Sequence, residues 1–168
     1  LNKVWAKDST VAKWNEINPA WPDQPIALFG ADTDSGTFDY FTEVINGKAK
    51  ESRADYTASS NDNVLVNGVA DNKYALGYFG YGYYAENQDR LKAVPIESDQ
   101  TKACVAPTPE TIETGTYSPL SRPLFIYVTK TALKRPEVAE FVKFYLTEEG
   151  QGMVATRDFI KLPPAPLT

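Results

Sequence analysis

The residues best suited to chemistry sit in one short stretch, Thr33-Asp34-Ser35-Gly36-Thr37. Behind them Phe38, Phe41, Val44 and Ile45 recur at helical spacing, and Asn46-Gly47 supplies a stop. A helix that begins here presents unpaired backbone N–H groups and the positive end of its dipole. Gly36 lets an anion come close to the backbone, and Ser35 and Thr37 add hydroxyl donors. Such a start can grip a phosphate or a sulfate without a metal. A plain helix capped by Asp34 or Ser35 carries the same signature. The stretch is not a P-loop, because the GxxxxGK[ST] spacing is missing and no Lys follows Gly36.

Three other groups are candidates for function. Arg53, in Glu51-Ser52-Arg53-Ala54-Asp55-Tyr56, is either a solvated surface charge or a fork that clamps an anion through two N–H donors. The run Tyr78-Phe79-Gly80-Tyr81-Gly82-Tyr83-Tyr84 suits a stacking platform, but its interleaved Gly and lack of basic neighbours favour core packing or a hinge. Asp32, Asp34 and Asp39 are available carboxylates for hydrolysis. Asp32-Thr33-Asp34 lacks the rest of an EF-hand loop, so calcium is not expected.

Composition removes several chemistries. The chain has no His, so Ser-His-Asp and Cys-His nucleophiles are unavailable within it. Its one Cys, Cys104, rules out Cys-Cys zinc and CxxC redox motifs; it reads as a small buried filler, or as one end of a disulfide to another segment. No metal, cofactor or catalytic residue is expected. A net charge of −5 with no basic tract makes nucleic acid a poor partner. No apolar run reaches the roughly 20 residues of a membrane span.

The elements that must position the loop follow from pattern. Pro25 to Gly30 reads as a buried strand, then the polar loop and the helix over 38–46. Residues 48–62 read as loop, and 63–69 as helix or strand. Tyr74 to Gly80 and Leu91 to Ile96 read as strands, with a short helix or turn over 81–89 between them. A short helix is expected near 109–114, and 122–128 is the clearest strand. A helix follows from Pro136 with Val138, Phe141, Val142, Tyr145 and Leu146 on one face, broken or bent at Gly150 and Gly152. A further helical turn is expected over 153–159, and the tail KLPPAPLT reads as irregular. Alternating strands and helices give an α/β class.

The ordered series is more specific than any one segment. Thr33-Asp34-Ser35-Gly36-Thr37-Phe38-Asp39-Tyr40-Phe41-Thr42-Glu43 is followed by Ser52-Arg53-Ala54-Asp55-Tyr56-Thr57 and by Ala75-Leu76-Gly77-Tyr78-Phe79-Gly80-Tyr81. Lys92-Ala93-Val94-Pro95-Ile96 and Tyr117-Ser118-Pro119-Leu120-Ser121-Arg122-Pro123-Leu124-Phe125 close it. This series resembles the phosphate-binding proteins of ABC importers, the PstS family, over nearly the whole chain. The resemblance implies a two-lobed, type II periplasmic-binding-protein fold with the anion between the lobes. It implies that residues 1–121 form the second lobe. Residues 122–168 would return to a first lobe lying upstream of Leu1 or supplied by another chain. It also implies an extracytoplasmic location, periplasmic or at the cell surface with a lipid anchor, and docking on a membrane permease.

Ser35, Gly36 and Thr37 match the family's second-lobe phosphate contacts. Many members carry an Arg four residues before that Ser, where this chain has Ala31. Arg53 is therefore expected to take over the clamp. Other readings stay open: another oxyanion such as sulfate or molybdate, an adhesion or sensing scaffold, or a hydrolase using Asp34 or Asp39.

Overall fold

A computed structural model describes residues 1–98, 101–156 and 159–162. The chain separates into two compact units, Leu1–Lys92 and Ala93–Thr168.

The first unit is built on a three-stranded parallel sheet: β1 (Ala27–Ala31), β2 (Thr57–Ser59) and β3 (Ala75–Tyr78), in the order β2-β1-β3. Phe29 lies opposite Thr57 on one side and Gly77 on the other. Two short helices, α1 (Asn2–Trp5) and α2 (Trp14–Ile17), precede the sheet. Helix α3 (Gly36–Asn46) connects β1 to β2, and α4 (Asp62–Ala70) connects β2 to β3. The sequence of β1 explains its central place. Leu28 and Ala31 are buried among apolar neighbours, and Gly30 leaves room for the Tyr78 ring beside it.

The two faces of the sheet carry different partners. Gly30 and Tyr78 are register neighbours, so their side chains share one face. On that face Phe41 of α3 stacks on Tyr78 at 3.9 Å, and Trp5 meets Phe41, Tyr56 and Tyr78 edge-on. On the other face Phe29 lies against Gly68 of α4, and Val69 lies against Gly77. Opposite faces for successive connections are what right-handed crossovers require when the chain first steps to one side of β1 and then to the other. Leu65 and Val66 of α4 are fully enclosed and seal the second face.

The second unit contains a short antiparallel pair, β4 (Ile96–Glu97) with β5 (Cys104–Val105). Helices α6 (Pro109–Glu113), α7 (Pro136–Tyr145) and α8 (Glu148–Ala155) follow. Thr108 caps α6 by accepting from Thr111 N–H, and Pro109 occupies its first turn.

Much of the expected pattern is present. The strand over 25–30, the helix over 38–46 and the strand over 74–80 correspond to β1, α3 and β3. The ambiguous segment 63–69 is helical, within α4. Five expectations are corrected. The stretch 48–62 contains β2, whose small and mostly exposed residues Thr57, Ala58 and Ser59 carry no apolar signal. The strand expected over 91–96 shrinks to Ile96–Glu97, where its pairing lies. Residues 122–128 form no strand, because no described strand lies beside them to take their backbone hydrogen bonds; Phe125 and Tyr127 are 70% and 91% exposed. Gly150 and Gly152 do not break the last helix but lie inside α8. A side chain at 150 would fall 2.2 Å from the Phe144 carbonyl oxygen, so Gly permits the close turn between α7 and α8. Cys104 is exposed on β5 rather than buried as filler. The expected turn over 153–159 is met by α8 as far as Ala155, while residues 157 and 158 lie outside the described residues. The tail lies outside them from residue 163 onward.

Gly30 offers a direct check on this packing. A Cβ there would stand 2.4 Å from Cε1 of Tyr78, whose ring is held from behind by Phe41. Gly30→Ala is expected to cost about 1–3 kcal/mol as an overpacked core position, read from urea unfolding. An unchanged midpoint would mean that the Tyr78 ring yields freely.

Candidate anion-binding site

The loop between β1 and α3 lies at the carboxyl end of the central strand. Asp32 shapes it: its carboxylate accepts from Asp34 N–H at 3.1 Å, and its carbonyl accepts from Ser35 N–H at 3.1 Å. The backbone of Asp32 is held in turn by the Ser59 carbonyl of β2. Ser35 is the N-cap, with extended backbone, and its Oγ accepts from Thr37 N–H at 3.1 Å. Ser35 and Thr37 are half-buried, and Gly36 is exposed. Helix α3 runs eleven residues and ends on Gly47 in the left-handed region at φ 81°. It is long enough to carry a substantial dipole to this end.

The sheet topology marks the same place. β1 leads to α3 on one face. β3 leads to α5 (Tyr81–Ala85), which packs beside α4 on the other. Adjacent strands whose connections diverge to opposite faces leave a crevice outside their carboxyl ends, the usual ligand position in open α/β sheets. The start of α3 and the segment Phe79-Gly80-Tyr81 are the connections that diverge there.

Ser35, Gly36 and Thr37 are thus brought together, and Arg53 does not join them. Its Nη1 donates to the Val4 carbonyl at 3.1 Å and to the Val11 carbonyl at 2.7 Å. Its Nε and Nη2 fork onto the two carboxylate oxygens of Asp55 at 2.6 and 2.7 Å. Ala12, next to Val11, bonds Ile26 at the amino end of β1. Arg53 is therefore bonded to the segment that precedes β1 and to Asp55 rather than to the anion loop. The expected fork exists, but its carboxylate partner is internal. Arg53 is a buried latch that ties the segment before β1 to the segment before β2.

The hydrogen bond and charge of Asp55 raise the Arg53 guanidinium above its ordinary value, and Arg53 holds the Asp55 carboxyl below its own. Asp32 and Asp34 form no metal cage; among the described residues no group of three or more potential ligands gathers.

Two tyrosines absent from the expected site do reach it. The Tyr56 hydroxyl donates to the Ala31 carbonyl at 2.9 Å, and the Tyr78 hydroxyl points to the same oxygen at 3.4 Å. Burial raises the pKa of both phenols, so both hydroxyls keep their protons. No local pattern announces this pairing, since the three residues are far apart in sequence.

Comparison with known proteins now bears on this geometry. The PBP superfamily domain matches residues 5–149. The chain belongs to the PBP superfamily. Among curated relatives of this superfamily member, Protein SphX of Synechocystis is 48% identical over 149 residues, covering 87% of this chain and 44% of that protein. The phosphate-binding protein PstS of Staphylococcus haemolyticus is 41% identical over 152 residues, covering 90% and 46%. The chain thus spans about half the length of the curated relatives it matches. A solved structure described as a possible phosphate binding protein from Planctomyces limnophilus aligns with a TM-score of 0.84 at 68% identity, covering 96% of this chain and 57% of that one. An ABC transporter substrate-binding protein of Clostridium perfringens, solved with bound phosphate, aligns at 0.69 and 29% identity, covering 91% and 58%. The α/β PBP-like fold is therefore shared with proteins named for phosphate binding.

The latch makes a stability prediction. Arg53→Ala leaves the Val4 and Val11 carbonyls and the Asp55 carboxylate without their donor. A loss of about 2 kcal/mol is expected, chiefly from the buried Val4 and Val11 carbonyls, since Asp55 is exposed and can regain water, read from urea unfolding at neutral pH. The Asp55 carboxyl is depressed in the folded state. Its contribution is therefore complete above the unfolded Asp value near 3.9 and is lost as pH falls through the lower folded value. Asp55→Asn should flatten that acid limb of the stability curve, and an identical limb in the variant would assign acid unfolding elsewhere.

Proposed function

We propose that this protein is an extracytoplasmic solute receptor that captures inorganic phosphate and delivers it to an ABC importer. The observation that carries the proposal is the capped start of α3 at the divergence of β1 and β3, in a chain whose relatives are named for phosphate binding. Ser35 and Thr37 donate hydroxyl hydrogens to the anion, and the backbone at Gly36 lets it approach the end of the helix dipole. The binding is direct and desolvated, with no covalent step, and the protein acts as a receptor rather than a catalyst. It works outside the cytoplasmic membrane, where it meets the permease subunits.

Residues 122–168 pack against a further lobe in this reading. The exposed apolar side chains of Leu124, Phe125, Ile126, Tyr127 and Phe141 support it, since such side chains seek a partner surface. On α7 Phe141 is 64% exposed, and Leu146, the residue just past its end, is 47% exposed. Closure of two lobes on the ligand would be a hinge motion.

Calorimetric titration of the protein in its full natural length tests the proposal. Phosphate is expected to bind tightly and sulfate weakly. Thr37→Val, which keeps the size but removes the hydroxyl, is expected to weaken phosphate binding about tenfold, the worth of a hydrogen bond to a charged group. Absence of heat with phosphate from a folded, ligand-stripped sample would overturn the receptor reading. An unchanged affinity in Thr37→Val would remove Thr37 from the site.

A further inference from the structure

The carboxyl end of β1 is held by an arrangement that packing alone does not require. The Ala31 carbonyl, the last in the strand, accepts from Tyr56 at 2.9 Å and faces the Tyr78 hydroxyl at 3.4 Å. Ala31 itself is 1% exposed. One residue further on, Asp32 begins the turn whose carbonyl and carboxylate hold Ser35 and Asp34. The tilt of the Ala31 peptide therefore sets the direction in which the chain enters the loop.

The two tyrosines are themselves fixed. Tyr78 is stacked on Phe41, which belongs to the helix that the loop starts, and Trp5 is wedged edge-on against Phe41, Tyr56 and Tyr78. The same aromatic block thus grips the loop at both ends, through the Ala31 oxygen before it and Phe41 after it. A carbonyl oxygen that turned toward the loop would also place a partial negative charge beside a bound anion. Two phenolic donors hold that oxygen on the core side instead.

We infer that Tyr56, with Tyr78 as second donor, is a positioning residue for anion capture: its hydroxyl fixes the Ala31 carbonyl and so aims Ser35, Gly36 and Thr37 at the ligand. The inference rests on the receptor reading above. It concerns residues that contact no ligand and act only through the backbone of the loop.

The test uses Tyr56→Phe and Tyr78→Phe in the full-length protein, titrated with inorganic phosphate beside wild type. Tyr56→Phe keeps the ring against Trp5 and removes only the donor. It is expected to weaken phosphate about five- to tenfold, the value of one hydrogen bond. Tyr78→Phe, losing the longer contact, is expected to do less. Backbone amide shifts of Ser35, Gly36 and Thr37 in the ligand-free protein should move in Tyr56→Phe while far-ultraviolet circular dichroism stays the same. A merely structural role would lower the unfolding midpoint without moving those amides or the affinity.

Leu65→Val is the control for general destabilisation, since Leu65 packs on the other face of the sheet. It should lower stability and leave the affinity at the wild-type value. If wild type binds phosphate and Tyr56→Phe binds it equally well, or if Leu65→Val weakens it as much, the inference is overturned. If wild type itself fails to bind, the receptor reading falls first.

Discussion

The stack of Phe41 on Tyr78 is the contact on which the rest of the first unit depends. It joins α3 to β3 across β1, and it is possible only because Gly30 has no side chain to occupy the same space. A stacked aromatic pair of this kind adds about 0.5–1.5 kcal/mol beyond the area it buries. Its larger effect is geometric. The amino end of α3 must lie over the carboxyl end of β1 when Phe41, little more than one helical turn further on, is docked there. Trp5 completes the block from the amino-terminal segment, so residues distant in sequence converge on one helix orientation.

Trp5 needs its own support, and Arg53 supplies it. The Trp5 carbonyl accepts from Asn46, Ser52 and the Arg53 backbone, while the Arg53 guanidinium holds the carbonyls of Val4 and Val11. The polar layer at the amino end of the sheet and the aromatic layer above it are therefore one device. A charge is buried in the first so that a tryptophan can be placed in the second. Removing the buried Arg53 from this network is costly because it strips the Val4 and Val11 carbonyls of their donor, even though its pairing with the exposed Asp55 is a modest source of stability.

How much of this was legible in the sequence depended on whether the signal was local. The start of α3 could be read from Ser35-Gly36-Thr37 and the Phe38, Phe41, Val44, Ile45 spacing, because capping and amphipathic periodicity act within a few residues. Strand β2 was not legible: Thr57-Ala58-Ser59 is an edge with neither alternation nor bulk, defined only by the backbone of β1 beside it. The strand expected over 122–128 failed for the opposite reason. Its apolar residues carry a strong pattern, but a strand also needs a neighbour. The expected fork of Arg53 is present, and in this structure it holds Asp55. The competing acceptor, Asp55, stands two residues away, a spacing that a bidentate contact reaches easily.

Charge provides the last constraint on the site. The loop carries Asp32 and Asp34, and one turn into α3 Asp39 is faced by Lys50 at 3.8 Å, with both side chains partly in solvent. The Arg53 fork is committed to Asp55. In the proposed receptor, this unit's attraction for an anion therefore rests on oriented neutral donors and the helix end. Such donors are weak in water and strong in a dry crevice, because their dipoles are fixed and the local dielectric is low. A site of that kind has little long-range pull on its ligand and gains its affinity when solvent is excluded. Geometry then matters more than charge, and small errors in the direction of Ser35 and Thr37 cannot be offset by a nearby positive group. The rigid aromatic block beneath the loop is the feature of the fold that meets this demand.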